Sequence, residues 1–251
     1  MKVRTYTGAG AFLRHTRAEL EANEAANSLM LGICERLARH PERVKAAPCL
    51  KTVEGQDGLV LAAMMTPPHK LVVYGHQGDI ASAARVLVQD LVGEGWEVPG
   101  ILGPGEAAKG VAEAWSEVTG RGYGLEQRLR VLVLRKVTGP EPSRGRLRRA
   151  AEADVELVAR WWYAFYREIF GEADQEEANR GAGLRIGEGD IYLWEDGQPV
   201  SMAMRTRPTR NGISVGLVYT PPELRRRGYA SACVGELSRT RLKAHPSCLS
   251  C

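Results

Sequence analysis

The chain has 251 residues, room for one large domain or two modest ones. With 44% apolar and 25% charged residues it has the composition of an ordinary globular protein, and no run of about 18 apolar residues suggests a membrane span. A balance of 34 basic to 30 acidic residues leaves a net charge of +4, too mild to make nucleic acid the expected partner.

Five cysteines, at positions 34, 49, 233, 248 and 251, are odd in number and scattered, which does not read as a disulfide framework. With no apolar leader run in residues 1–17, a reducing cytoplasm is the expected location. Cys248 and Cys251 form a C-x-x-C with no second pair to complete a zinc site, and His69 and His76 have no ligand partners at useful spacing. No metal is expected.

In chain order, residues 19–39 predict one helix, with Leu20, Leu29, Met30, Ile33 and Leu37 at helical spacing. Leu59 to Met65 and Lys70 to Tyr74 read as strands around Thr66-Pro67-Pro68-His69. Residues 80–92 and 107–118 predict amphipathic helices, and Arg130 to Val137 a strand. Thr138-Gly139-Pro140-Glu141-Pro142-Ser143-Arg144-Gly145 reads as a linker. The expected division is a smaller α/β unit at 1–138, a linker at 139–145 and a second unit at 146–251.

The second unit opens with a basic strand from Arg146. Asp154 then stands as N-cap to a helix carrying Val158, Trp161, Trp162, Phe165 and Ile169 on one stripe. Six aromatics fall between Trp161 and Phe170, a density that reads first as core and second as the wall of a substrate pocket, while Glu168 and Glu172 read first as a solvated face and second as groups that orient a cationic amine. Glu195-Asp196-Gly197-Gln198 between apolar runs predicts a hairpin, and Ile213 to Tyr219 a further strand. Pro221 and Pro222 end that strand because neither can donate to a ladder.

There follows Glu223-Leu224-Arg225-Arg226-Arg227-Gly228-Tyr229-Ala230, a basic, glycine-containing loop that opens a helix. The first amides of a helix have no partner within it, so they can hold an anion. Gly228 removes a side chain where a phosphate would approach the backbone, and Ala230 is small for the same reason. Arg225, Arg226 and Arg227 add positive potential.

Arg225, Gly228 and Ala230 fill the fixed positions of Q/R-x-x-G-x-G/A, and the chain here resembles the acyl-CoA loop of the GCN5-related N-acetyltransferase (GNAT) family. The resemblance runs from about 146 to 242, with the elements in the family's order. It implies an α/β fold with a mixed, mostly antiparallel central sheet flanked by helices. The co-substrate implied is acetyl-CoA, and the reaction is acetyl transfer to an amine of an unidentified small molecule or peptide.

The cofactor-binding positions implied are Val218, Tyr219, Thr220, Arg225, Arg226, Arg227, Gly228, Tyr229, Ala230 and Ser231. Backbone groups of the first three would pair with pantetheine and polarise the thioester. The order of the first unit admits a degenerate second copy of the same fold, with Leu102-Gly103-Pro104-Gly105-Glu106 where the phosphate loop would stand.

Two features pull the other way. The strand Ile213 to Tyr219 carries no acid to serve as base, and no catalytic residue can be named. Family members continue past the phosphate-loop helix into further strands and a helix that supplies a thiolate-protonating tyrosine, whereas this sequence reaches Pro246 and Cys251. The expectation drawn is a C-terminally incomplete domain. The alternative function is therefore a non-catalytic acyl-CoA-binding or interaction module. A homodimer is left open.

Overall fold

The computed structural model describes residues 1–43, 46–75, 77–138, 144–244 and 249–250. Residues 139–143 of the expected linker, His76, Cys248 and Cys251 fall outside them. The fold is mixed α/β, with two mostly antiparallel sheets flanked by helices, and its contacts divide the chain into Met1–Arg130 and Val131–Cys251. Among the described residues no helix is long and apolar enough to cross a membrane.

The first unit runs β1 (Lys2–Thr5), α1 (Ala9–Ala22), α2 (Glu24–Arg39), β2 (Cys49–Gly55), β3 (Gly58–Met65), β4 (Leu71–Tyr74), α3 (Ile80–Gly93), β5 (Ile101–Leu102) and α4 (Gly105–Thr119). Its sheet has the order β1-β2-β3-β4-β5, antiparallel except for the last pair. Where the sequence predicts one helix over 19–39 there are two. Asn23 breaks them at φ −126°, and its amide donates to the Tyr74 hydroxyl at 2.8 Å.

Strict alternation splits the core. Leu61, Ala63 and Met65 face α3 and α4, while Ala62 and Met64 face α1 and α2. Burying each large aliphatic side chain is worth about 1.5–3 kcal/mol, so this sandwich has ample driving force. On the α3 side Lys51 stands between Cys49 and Val53, fully buried, and its ammonium meets Asp90 at 2.7 Å and Glu94 at 2.8 Å. That charge in mid-strand conceals β2 from a pattern reading.

The second unit runs β6 (Val133–Leu134), β7 (Arg146–Arg149), α5 (Val155–Phe170), α6 (Gln175–Gly187), β8 (Ile191–Asp196), β9 (Gln198–Thr206), β10 (Ile213–Tyr219), α7 (Tyr229–Ala244) and β11 (Leu249–Ser250). Its sheet order is β6-β11-β10-β9-β8-β7. Of the strand predicted over 130–137 only Val133–Leu134 is formed. Its partner β11 is two residues long, so Leu129, Val131 and Leu132 find no ladder and stay exposed.

Asp154 does not cap α5 with its side chain. Its carboxylate turns back to the Ala151 amide at 2.7 Å and to a fork of Arg148 at 2.7 and 2.9 Å. Helix α6 is opened by Asp174, which accepts from the Glu176 and Glu177 amides.

The two units share one plan. β1-α1-α2-β2-β3-β4-α3-β5 in the first corresponds to β7-α5-α6-β8-β9-β10-α7-β11 in the second. In both, the last strand pairs parallel to the one before the preceding helix. On this plan the counterpart of the arginine loop is Gly75–Asp79, between β4 and α3. Leu102–Glu106, the stretch singled out from sequence, lies one step later between β5 and α4.

Candidate functional site

β10 changes face halfway along. Val215 packs on the α7 side with Cys233 and Leu237, yet Leu217 and Tyr219 pack on the α5 side with Trp161. Odd-numbered positions of a regular strand would share one face. A bulge between Gly216 and Tyr219, with Leu217 at φ +49°, makes the switch. On the outer edge β11 pairs only with Ile213 and Ser214. Beyond Ser214 that edge of β10 has no strand partner among the described residues.

The chain leaves β10 through Pro221, passes a short 3₁₀ turn at Pro222–Leu224, and enters the arginine loop. Arg226 sits at φ +62° and Gly228 at φ +81°, left-handed positions of the kind from which anion-binding nests of successive amides are built. Gly228 precedes α7, and its carbonyl takes the first helical bond, from Ala232 at 2.9 Å. Having no side chain, Gly228 offers nothing to the amides of Tyr229, Ala230 and Ser231. A Cβ built on Gly228 would meet nothing within 4 Å.

These parts line one cleft of about 410 Å³, within the range of small-molecule sites. All the positions implied by the sequence border it except Arg227, which is exposed and donates to the Glu223 carbonyl at 3.4 Å. Thr220 brings less than expected. Its hydroxyl is shared with Ser201 at 2.9 Å and its carbonyl accepts from Arg225 Nε at 2.9 Å, so its amide is what remains. The Tyr219 carbonyl accepts from Ser201 at 3.1 Å, and the Tyr229 hydroxyl donates to Asp196 at 2.8 Å.

The structure adds Phe165, Glu168 and Ile169 of α5 to the lining. Glu168 is no idle surface residue: its two oxygens accept from Arg225 at 2.8 and 2.6 Å. The Arg225 bonds hold the Glu168 carboxyl below its ordinary range, and the Glu168 bonds raise Arg225 further. Arg225 also lies 5.7 Å from the Tyr219 ring, whose phenol is pushed up mainly by burial. The sequence already offers Glu168 as a second reading, and the i, i+4, i+7 spacing of Trp161, Phe165 and Glu168 on one helix face favours it.

The counterpart in the first unit is closed. At the start of α3 the Asp79 carboxylate accepts from the Ser82 amide at 3.0 Å, so a carboxylate of the chain fills the position an anion would take. A Cβ on Gly103 would stand 2.3 Å from the Val73 carbonyl, so the chain after β5 stays tight against β4. The gap beside Gly75 and Tyr74 has no space for a water molecule. Among the described residues no group of three His, Cys, Asp or Glu could hold a metal.

No protein-family model and no curated protein sequence matches the chain. Among solved structures, a Drosophila protein matches at TM-score 0.62 and 12% identity, over 99% of this chain and 88% of its own. An acetyltransferase of the GNAT family from Colwellia psychrerythraea matches at TM-score 0.51 and 12% identity, over 100% of this chain and 90% of that one. The fold is GNAT-like. A ribosomal-protein-alanine N-acetyltransferase from Brucella melitensis overlaps at 21% identity, 41% of this chain and 70% of its own, with a TM-score of 0.35 that decides nothing.

Proposed function

We propose that this chain transfers an acetyl group from acetyl-CoA to an amine, with the cleft of the second unit holding the co-substrate. The observation that carries this reading is a coincidence of three features in one cleft. They are the outer edge of β10 beyond Ser214, which has no strand partner among the described residues, the bulge that turns Tyr219 to the α5 side, and the start of α7, where Gly228 has no side chain to cap it. The GNAT-like fold, shared with an enzyme called an acetyltransferase, supports it.

The residues present fit a diphosphate. Gly228 leaves space for it, the amides of Tyr229, Ala230 and Ser231 lack intrahelical partners, and Arg225 and Arg226 border the same cleft. Arg227 contributes long-range potential only. An extended pantetheine arm would lie along Val218, Tyr219 and Thr220 as an added strand, since an open sheet edge offers main-chain hydrogen bonds to an extended partner. An amide of this edge aimed at the thioester carbonyl would stabilise the negative charge that develops there. Bound acetyl-CoA supplies the activated acyl carbon.

The test is thiol release from acetyl-CoA in the presence of a panel of small amines and N-terminal peptides, with Gly228→Glu as the control. Release above background with at least one acceptor, lost in the variant, is the expected result. A folded protein that neither releases thiol nor binds CoA refutes the reading. Binding without turnover is the second reading. It is favoured by the absence of acid from β10 and by the Arg225 bonds that make Glu168 a weak base.

A further inference from the structure

The chain between α4 and β7 exposes a run of apolar side chains. Of the thirteen large hydrophobic residues that stand exposed among the described residues, six fall between Tyr123 and Val133. Leu129 is 61% exposed, Val131 53% and Leu132 64%. Exposed apolar residues so concentrated mark a surface that meets a partner. The run leads into a sheet edge. β6 is the outermost strand of its sheet and pairs with β11 through Val133 and Leu134. Its other side has no strand partner among the described residues. Unpaired main-chain groups beside such side chains are a template for another strand.

Charge says which strand fits. Residues 125–137 hold four cations, Arg128, Arg130, Arg135 and Lys136, against one acid, Glu126. Two copies of one strand pair antiparallel about a two-fold axis, and side chains of the same face meet only when that axis passes through a residue. With the axis at Arg130, that arginine meets its own copy; with the axis at Leu132, Arg128 meets Lys136. With the axis at Val131 no cation faces another. Glu126 then lies opposite Lys136, Arg128 and Arg130 opposite Leu134 and Leu132, Leu129 opposite Val133, and Val131 opposite itself. Apolar and opposite-charge pairs directly across a ladder stabilise it, and like charges destabilise it. The arginine stems can cover the leucines while their heads stay in water.

We propose that residues 125–137 are the interface of a homodimer, in which the free edge of β6 pairs antiparallel with that of a second copy, centred on Val131. The pairing uses the edge opposite β11, so the existing ladder stays intact. The contact is isologous and closes after two copies. The interleaved cations penalise the two neighbouring registers and so hold the strands against slipping. The pairing does not depend on the acyl-CoA reading.

The experiment is sedimentation equilibrium of the full chain over a concentration series. The mass should rise from 27.5 kDa towards twice that value. Val131→Lys sets two ammonium groups against each other on the axis and should weaken association by about ten-fold or more. Position 131 is exposed and lies outside every helix and strand, so the variant should fold, and a thermal melt verifies it.

Cross-linking reads the register in a nearly native chain. Directly opposed residues have Cα atoms about 4.5–5.5 Å apart, within disulfide reach. Val131→Cys should therefore link to its own copy under mild oxidation. Leu125→Cys, at a still more exposed position, would lie about 40 Å from its copy along the paired strands and should not link. Peptide mapping identifies the linked residues.

A chain that stays at 27.5 kDa throughout the series overturns the proposal and leaves the apolar run to a different partner. A folded Val131→Lys protein that associates as the native chain does overturns the assignment of the strand. Linking as strong at 125 as at 131 overturns the register.

Discussion

Gly228→Ala separates the backbone role of the loop from its role in anion binding. At φ +81° an alanine pays the left-handed penalty of about 1–2 kcal/mol, with no clash added because nothing lies within 4 Å of the new Cβ. Stiffening the unfolded chain returns about 0.4–1 kcal/mol, so the net loss is about 1 kcal/mol. That corresponds to about 2–4 °C in Tm for a protein of this size.

The same methyl stands where a phosphate would reach the first amides of α7. Loss of one hydrogen bond to a charged group, about 1.5–3 kcal/mol, weakens CoA binding by about ten- to one-hundred-fold. Gly120→Ala is the matched control, at φ +72° with equally open space but at the end of α4 in the first unit. It should lose similar stability and bind CoA normally. Differential scanning calorimetry and isothermal titration of both variants decide the matter. A Gly228→Ala protein with lowered Tm and native CoA affinity would refute the assignment of the loop.

Gly103→Ala should be far more damaging than either, because its Cβ would press to 2.3 Å from the Val73 carbonyl, a backbone atom. Urea unfolding should show a loss of several kcal/mol, on the order of an overpacked core, or no folded first unit at all. Lys51→Met leaves Asp90 and Glu94 facing each other without their cation. It should cost about 3 kcal/mol in the same assay, and a loss under about 1 kcal/mol would show the triad to be dispensable.

The Arg148 fork, with the Ala151 amide behind it, holds the Asp154 carboxyl below its ordinary value of 3.8. A depressed carboxyl contributes stability that is full above that value and is lost as pH falls through the folded one. The acid limb of the stability curve should therefore be shallower in Asp154→Asn, and an unchanged limb would contradict this. Cys34, Cys49 and Cys233 are buried and their thiols are pushed up to about 12, chiefly by burial. Native-state alkylation at pH 8 followed by peptide mapping should spare all three and label them only on unfolding.

Much of the second unit was legible because its signals are local. Ile213–Tyr219 is bounded as predicted, since Pro221 and Pro222 cannot extend a ladder, and Asp196-Gly197 makes the hairpin between β8 and β9. In the first unit β1 is a short exposed edge, and β2 hides behind a buried lysine that no pattern reading takes for core. Helix α6 carries three glycines, at 181, 183 and 187, which propensity reads against a helix, yet Gly181 lets the Trp162 ring lie close.

The site was legible as a loop but not as a cleft. The bulge at Leu217 depends on how α7 and α5 claim opposite faces of β10. The Glu168–Arg225 pair joins residues 57 apart in sequence. The counterpart loop in the first unit was misplaced by one step because β5 is too short to be seen before the strands are paired.

The central claim is that, of two units built to one plan, the second holds the ligand site and the first does not. Hydrogen–deuterium exchange of the full chain with and without saturating acetyl-CoA tests it most directly. The account predicts slowed exchange in peptides covering 218–231 and in the α5 peptide around Glu168, with no change over 77–83. Protection confined to 77–83, or none anywhere under conditions where binding is measured, would contradict it.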